Sequence, residues 1–325
     1  YDKANEYGRC IGHIESVDSA NQMTLFGNRG EVWENGHRAY VTDSAMMLEW
    51  SDTTDLTYMH ADSLWAEEIP FTTYSLIERD SILVDSVMTA QMPDTIWRDT
   101  TYQQLRAFHN VRIFRSDMQA VCDSARYHGK DSILTLFGLP ICWNEDNQLS
   151  ADQIDVYIKN QEVDYMHGVG NAIAIKREGI EEFNQLAGKE MFAYVRDRDI
   201  YLVDVQGNAE TVFYPQEDDG TYIGVNRTQS SFVKLYLKDR KIDYVLFTTA
   251  TTGVMIPLDQ ALENERKLSG FFWAEEERPH SPEDIFSHPP RTVRPVAGTV
   301  SAAAEDEEEA EEDEEENKAT RRQNR

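Results

Sequence analysis

The sequence predicts an all-β fold assembled from recurring turn-and-strand units, and three observations carry that expectation. Two long stretches share landmarks in the same order. Met23-Thr24-Leu25-Phe26-Gly27, Trp33, Thr42-Asp43-Ser44 and Tyr58-Met59-His60 are answered by Leu134-Thr135-Leu136-Phe137-Gly138, Trp143, Ala151-Asp152-Gln153 and Tyr165-Met166-His167. The offset drifts only from 111 at the glycine, through 110 and 109, to 107 at the histidine. Fixed-period similarity of this kind marks stacked supersecondary units, each too small to bury its own apolar face.

The second observation is a pair of short phrases. A small residue followed by Asp occurs at Thr42-Asp43, Ala61-Asp62, Cys122-Asp123 and Ala151-Asp152, and Asn followed by alternating residues occurs at Asn110, Asn171 and Asn208. Asn and Asp bond nearby backbone and tolerate left-handed conformations, so these phrases read as turns. The third observation is the alternation that follows them, with the period of two required by a strand that buries one face.

Taken in order, the expected strands in the first repeat are Cys10–Ile14, Met23–Phe26, Tyr40–Thr42 into Met46–Leu48, and Leu56–Trp65, separated by Asn/Gly turns. Residues 69–106 are Thr/Asp-rich and contain Pro70 and Pro93, which marks an insertion or edge excursion. Strands resume at Val111–Phe114. Ile180, Phe183 and Ala187 fall on one helical face, so residues 176–187 are expected to hold one or two helical turns. Five strands follow, Met191–Val195, Ile200–Val205, Thr211–Tyr214, Phe232–Leu237 and Tyr244–Thr248. In the first two repeats the strands are spaced at about ten residues, which suits a sandwich, barrel or solenoid. Pro257–Leu268 reads as a helix with Pro at its first position and Gly270 beyond its end. The expected domains are 1–112, a first β unit carrying the 69–106 insertion; 113–277, a second ending in the helix; and 278–325, a disordered Pro-rich and acidic tail.

Charge restricts the partners. The chain of 325 residues carries a formal charge of −28, and Glu305–Glu316 is acidic except for Ala310. Setting aside residues 305–325, with eleven acids and four bases, still leaves −21. Such a body lacks the basic footprint of a nucleic-acid binder. Cys10, Cys122 and Cys142 show no metal-ligand spacing, and the odd count leaves at least one thiol outside any intrachain disulfide. No stretch approaches the roughly 20 apolar residues of a membrane-spanning helix. The chain starts at Tyr1 and enters strand-like sequence within a few residues, so an upstream segment, a signal peptide or further repeats, is expected to have been removed.

The search for chemistry finds no catalytic constellation, no metal set and no cofactor motif. His60 and His167 occupy matching repeat positions, which favours a structural role. Gly168-Val169-Gly170-Asn171 lacks the third glycine and the βαβ context of a dinucleotide loop, and reads as a turn. Asn226-Arg227-Thr228 matches a glycosylation sequon and also reads as a turn. Asp43, Asp62, Asp123 and Asp152 stand at strand entrances, where turn chemistry explains them.

At this point a resemblance emerges. Ala61-Asp62-Ser63-Leu64-Trp65 and Ala151-Asp152-Gln153-Ile154-Asp155-Val156-Tyr157 resemble one strand opening of the OstA-like lipopolysaccharide-transport proteins, the group of LptA, LptC and the N-terminal domain of LptD. Val169-Gly170-Asn171-Ala172 and Gln206-Gly207-Asn208-Ala209 resemble another. The likeness covers residues 7 to about 250, and Leu268–Trp273 with Arg278-Pro279 is similar to the Bacteroidetes branch.

The resemblance implies a β-jelly-roll or β-taco: two facing antiparallel sheets, solenoid-like, with acyl chains in the apolar cleft and edge strands that pair with the next protomer. It implies a non-enzymatic carrier of lipopolysaccharide or a related glycolipid, in the periplasm or on the periplasmic face of the outer membrane. Other Lpt-type β-jelly-roll proteins or further copies of the chain would be its partners. The apolar ladders that would line the groove are Ile154, Val156 and Ile158; Ile173 and Ile175; Val203 and Val205; and Val233, Leu235 and Leu237. Two other classes fit repeated strands with Asp at turns: a β-solenoid carbohydrate-active enzyme, needing two carboxyls about 5–9.5 Å apart, and a structural adhesin or scaffold assembling through strand edges.

Overall fold

In the structure, a computed structural model, the recurring Asp and Asn phrases bend strands instead of ending them, except Ala151-Asp152, which links one strand to the next. The structure describes residues 2–35, 37–50, 55–77, 82–84, 87–89, 94–217 and 219–291. The acidic run at 305–316 lies outside the described residues. Strands β1 (Tyr7–Asp18), β2 (Met23–Trp33), β3 (Arg38–Glu49), β4 (Thr57–Ile77), β5 (Ile82–Val84), β6 (Val87–Thr89), β7 (Asp94–Phe114), β8 (Gln119–His128) and β9 (Ile133–Phe137) come first. Then follow β10 (Ile141–Asn144), β11 (Asn147–Ser150), β12 (Gln153–Lys159), β13 (Glu162–Arg177), β14 (Phe183–Arg196), β15 (Asp199–Phe213), β16 (Gly224–Lys238), β17 (Lys241–Thr248) and β18 (Thr252–Pro257). All except β5 and β6, which pair with each other, belong to one antiparallel sheet.

That sheet is creased along a single line. The ladder breaks register at Phe26/Arg29 in β2, Thr42/Ala45 in β3, His60/Ser63 in β4 and Phe108/Val111 in β7. It does so again at Val169/Ala172, Ala187/Glu190 and Gln206/Ala209 in β13, β14 and β15. Between them the same line passes through the links β9–β10 and β11–β12. Left-handed backbone supplies the bend: φ is positive at Asp43, Ser44, His109, Asn110, Gly138, Gly170, Asn171, Gly207 and Asn208, as bulges in this conformation require. Each long strand therefore gives one arm to each of two walls. The first wall contains β10, β11 and β18; the second contains β9, β12 and β17.

The crease explains the repeated phrases. Asp and Asn lie outside it and tie neighbouring corners together. Asn110 Nδ2 donates to both Asp62 carboxylate oxygens at 3.1 Å, and Asn171 Nδ2 donates to Asp152 Oδ2 at 2.9 Å. Small residues in and beside these phrases pack inside the apex, where Ala45, Ala61, Ala107, Ala151, Ala172 and Ala209 are all buried, while Thr42 is half-buried. A larger side chain there would hold the walls apart. The long repeat also acquires a geometry. Met23–Phe26 lies in the first wall and Leu134–Phe137 in the second, so the two copies occupy opposite walls and exchange at Gly27 and Gly138.

The inner faces of both walls share one buried cluster. Leu25, Met59 and Leu149 enter it from the first wall, and Leu64, Ile154 and Val205 from the second. The outer face of the first wall is also apolar, because the C-terminal segment crosses it as a strap. Leu268 covers Ile173, Ile175, Val212 and Val225, while Phe272 and Ala274 cover Val121, Ile141 and Trp143.

Several expectations are corrected here. Residues 183–187 are strand, the start of β14, and not helix, because pairing with β13 and β15 overrides a three-residue helical spacing. The helix expected over Pro257–Leu268 shrinks to one turn, α1 (Glu263–Arg266). Pro257 ends β18 instead of opening a helix, and the Arg266 guanidinium takes the carbonyls of Leu258 and Ala261. Isolated helices this short are not self-sustaining. The linker expected from residue 278 instead lies against the sheet as far as Arg291, with a 3-10 turn at Pro282–Phe286 and Ile285 fully buried. A few anchors and side-chain bonds hold it, with no apolar periodicity to reveal it. The sequon at Asn226 sits within β16. The excursion is a continuation of β4 and β7 past their neighbours, a two-stranded ribbon over residues 69–77 and 94–103. The expected boundary at 112/113 falls inside β7.

Candidate functional site: an apolar trough between two walls

Away from the crease the walls diverge and leave two adjoining cavities. One, of about 390 Å³, is lined by Met23, Met47, Met59, Leu105, Leu134 and Val156 among others. The other, of about 220 Å³, is lined by Leu149, Met166, Met191, Val203, Val233 and Leu235 among others. Met118 and Cys142 line both, so the trough runs along the chain of strands with these two side chains at its waist.

Six methionines therefore face the trough: Met23, Met47, Met59, Met118, Met166 and Met191. Unbranched thioethers adapt to irregular apolar partners at little cost. Sequence reasoning missed them because it sought runs of branched residues. The signal was present in Met46-Met47, Tyr58-Met59 and Tyr165-Met166, where Met occupies the buried parity of the strand.

The ten side chains singled out for the groove separate into three groups. Val156 and Ile158 line the larger cavity, and Val203, Val233, Leu235 and Leu237 the smaller. Ile154 and Val205 are fully buried in the same interior cluster. Ile173 and Ile175 belong to the cluster under the strap, and Ile175 also lines the smaller cavity. On β13 the inward positions are Met166, Gly168, Ala172 and Ala174. The largest apolar residues of that arm point outward because a second apolar layer covers them.

The mouth of the trough is polar and mixed in sign. A cavity of about 300 Å³ over the waist shares Met118, Met166 and Val163 with the apolar cavities. Arg115, Lys159, Arg196 and Arg198 meet Asp117, Glu162, Asp164 and Asp197 there. Arg115 Nη2 donates to Asp117 at 2.9 Å, and Arg198 Nη1 donates to the buried Asp55 at 2.9 Å. Burial pushes the Cys122 thiol far above its ordinary range, and the second buried thiol at Cys142 adds to the shift. On the outer face of the second wall Tyr157, Tyr165 and Tyr194 form a ladder, with the first pair stacked at 4.1 Å. Burial, then the neighbouring tyrosines, pushes the Tyr165 phenol up to about 12.

The sheet ends on open edges. Among the described residues β1 has no partner beyond β2, and β17 and β18 have none beyond β16. No helix among the described residues is long and apolar enough to cross a membrane.

Comparison with known proteins adds little beyond this geometry. No protein-family model matches the chain, and no curated protein matches it. Among solved structures, LptH from Pseudomonas aeruginosa, described as the LptA homologous periplasmic component of the lipopolysaccharide transport device, aligns over 44% of this chain and 99% of its own. The identity is 14% and the TM-score 0.35. The chain is an all-β, creased-sheet protein by its own strand geometry.

Proposed function

We propose that the chain is a non-enzymatic carrier of lipopolysaccharide or a related glycolipid, with acyl chains held in the trough between the walls. The observation that carries the reading is a wide apolar interior, faced by methionines, that opens at a mouth where cations and acids alternate. Moving an acyl methylene from water into such a site contributes about 0.8 kcal/mol, so about ten of them supply roughly 8 kcal/mol without any help from bulk charge. Lys159 and Arg196, beside the ion-paired Arg115 and Arg198, then offer partners for an anionic headgroup at the rim, which reconciles a net charge of −28 with an anionic ligand.

The open edges support assembly with similar creased sheets or with further copies, through strand addition at β1 or at β17 and β18. In this reading the chain works in the periplasm or on the periplasmic face of the outer membrane. The test is photocrosslinking from a benzoylphenylalanine placed at Leu235, Ile158 or Ile173 in purified protein mixed with lipopolysaccharide. Leu235 and Ile158 are expected to label. Ile173, on the far side of the wall, is the internal control. Absence of labelling at both trough positions, or equal labelling at Ile173, overturns the proposal.

A further inference from the structure

The end of the strap meets the first wall at a cluster that the trough does not use. His60 on β4, Asp62 two residues later at the crease, and His288 beyond the 3-10 turn bring their ligand atoms within 4.8 Å of one another. The two imidazoles face each other through Nε2, at 3.3 Å. His60 Nδ1 lies 2.6 Å from the Ala45 carbonyl oxygen, an atom that can only accept. Nδ1 therefore carries the ring proton, and Nε2 presents a lone pair toward His288. A second-shell carbonyl on the remote nitrogen is the usual device for orienting a metal-binding imidazole. His60 is buried, with Phe286 packed on its ring at 4.8 Å, so its orientation is fixed.

We propose that His60 Nε2, His288 Nε2 and the Asp62 carboxylate bind one divalent transition-metal ion of the zinc class, which locks the strap to the wall. Metal–nitrogen distances of about 2.0–2.1 Å at a tetrahedral angle put two ligand nitrogens about 3.3–3.4 Å apart, and the observed separation already matches. Two imidazoles and one carboxylate leave a fourth position for water. Asp62 and the Arg112 guanidinium are the charged neighbours of His60. Arg112 is itself spent on the strap, donating to the Glu277 carbonyl at 2.7 Å. Asp62 is held at the crease by Asn110, with its carboxylate exposed toward the imidazoles. His288 takes the Nδ1-protonated tautomer on binding, and no redox or group-transfer step is involved. The site is independent of what the trough carries.

The experiment titrates Co²⁺ alone into the full chain and reads the visible absorption of tetrahedral cobalt. The H288A and D62N variants are run in parallel. One equivalent with an intense visible band is expected, lost in H288A and at least tenfold weaker in affinity in D62N. Zinc is expected to raise the melting temperature of the parent chain and leave that of H288A unchanged. His288 is exposed at the end of the strap, so its truncation spares the fold. Carboxylates elsewhere, including the acidic run, contribute equally to both proteins and cancel. No tetrahedral band in the parent chain, or the same band and stoichiometry in H288A, overturns the proposal and leaves the imidazoles as a hydrogen-bonded pair.

Discussion

Gln148 offers the sharpest test of how the strap is held. Its side chain is fully buried on the outer face of the first wall. Nε2 donates to the Phe272 carbonyl at 2.9 Å, and Oε1 accepts the Ala274 N–H at 2.9 Å. One amide thus replaces a strand partner for the strap backbone. Gln185, in the same row two strands away, does the same for the Arg266 carbonyl and the Leu268 N–H, both at 2.7 Å. Gln148→Leu keeps the bulk and strips both bonds. Each buried polar group left unpaired costs about 1–3 kcal/mol, for roughly 2–6 kcal/mol in all. The strap can lift and admit water, which caps the loss near about 2–3 kcal/mol. Denaturant unfolding measures the cost, and hydrogen exchange at Ala274 reports whether the strap has loosened. A loss under about 0.5 kcal/mol with unchanged protection at Ala274 would refute the reasoning.

Three further predictions follow from the crease, the interior and one exposed ion pair. Gly170 has φ +72°, and a Cβ would sit 2.4 Å from Asp152 Oδ2; Gly170→Ala is expected to cost more than about 1 kcal/mol and to exceed Gly12→Ala, where φ is +111° but nothing lies within 4 Å, as thermal melts would show. Cys10 is exposed while Cys122 and Cys142 are buried, so an aromatic disulfide reagent should titrate one thiol in the native protein and three in urea; two or more native thiols would contradict the placement. The hydrogen bond and charge of Asp123 hold the His109 pKa above its ordinary 6.5. The small stabilisation from that pair is complete below pH 6.5 and is lost as pH rises through the elevated native value. An NMR titration should find the His109 midpoint above 6.5 and see Asp123→Asn bring it down.

The strands were legible because period-two alternation survives any tertiary arrangement. The corners were half legible. Asp43, Asp62, Asn110, Asp152, Asn171 and Asn208 announce unusual backbone, but the same chemistry ends a strand or bends one, and only the register across neighbours decides which. Val156, Ile158, Val203, Val233, Leu235 and Leu237 line the cavities, whereas Ile173 and Ile175 join the cluster under the strap, Ile175 lining the smaller cavity as well. An apolar alternation shows that a face is covered and is silent about what covers it. The strap escaped because Gln148, Gln185, Gln119 and Arg278 hold it through polar bonds, with Arg278 Nε donating to Gln119 Oε1 at 2.8 Å. Buried amides look like surface residues in a sequence.

The interior methionines provide the most direct test that acyl chains enter between the walls. With methyl-labelled methionine, lipopolysaccharide is titrated into the protein and the methyl resonances are followed. Met118 at the waist and Met191 in the smaller cavity are predicted to shift together and saturate, while the exposed Met255 on β18 stays in place. Shifts confined to Met255, or none at Met118 and Met191 at saturating lipid, would contradict the account.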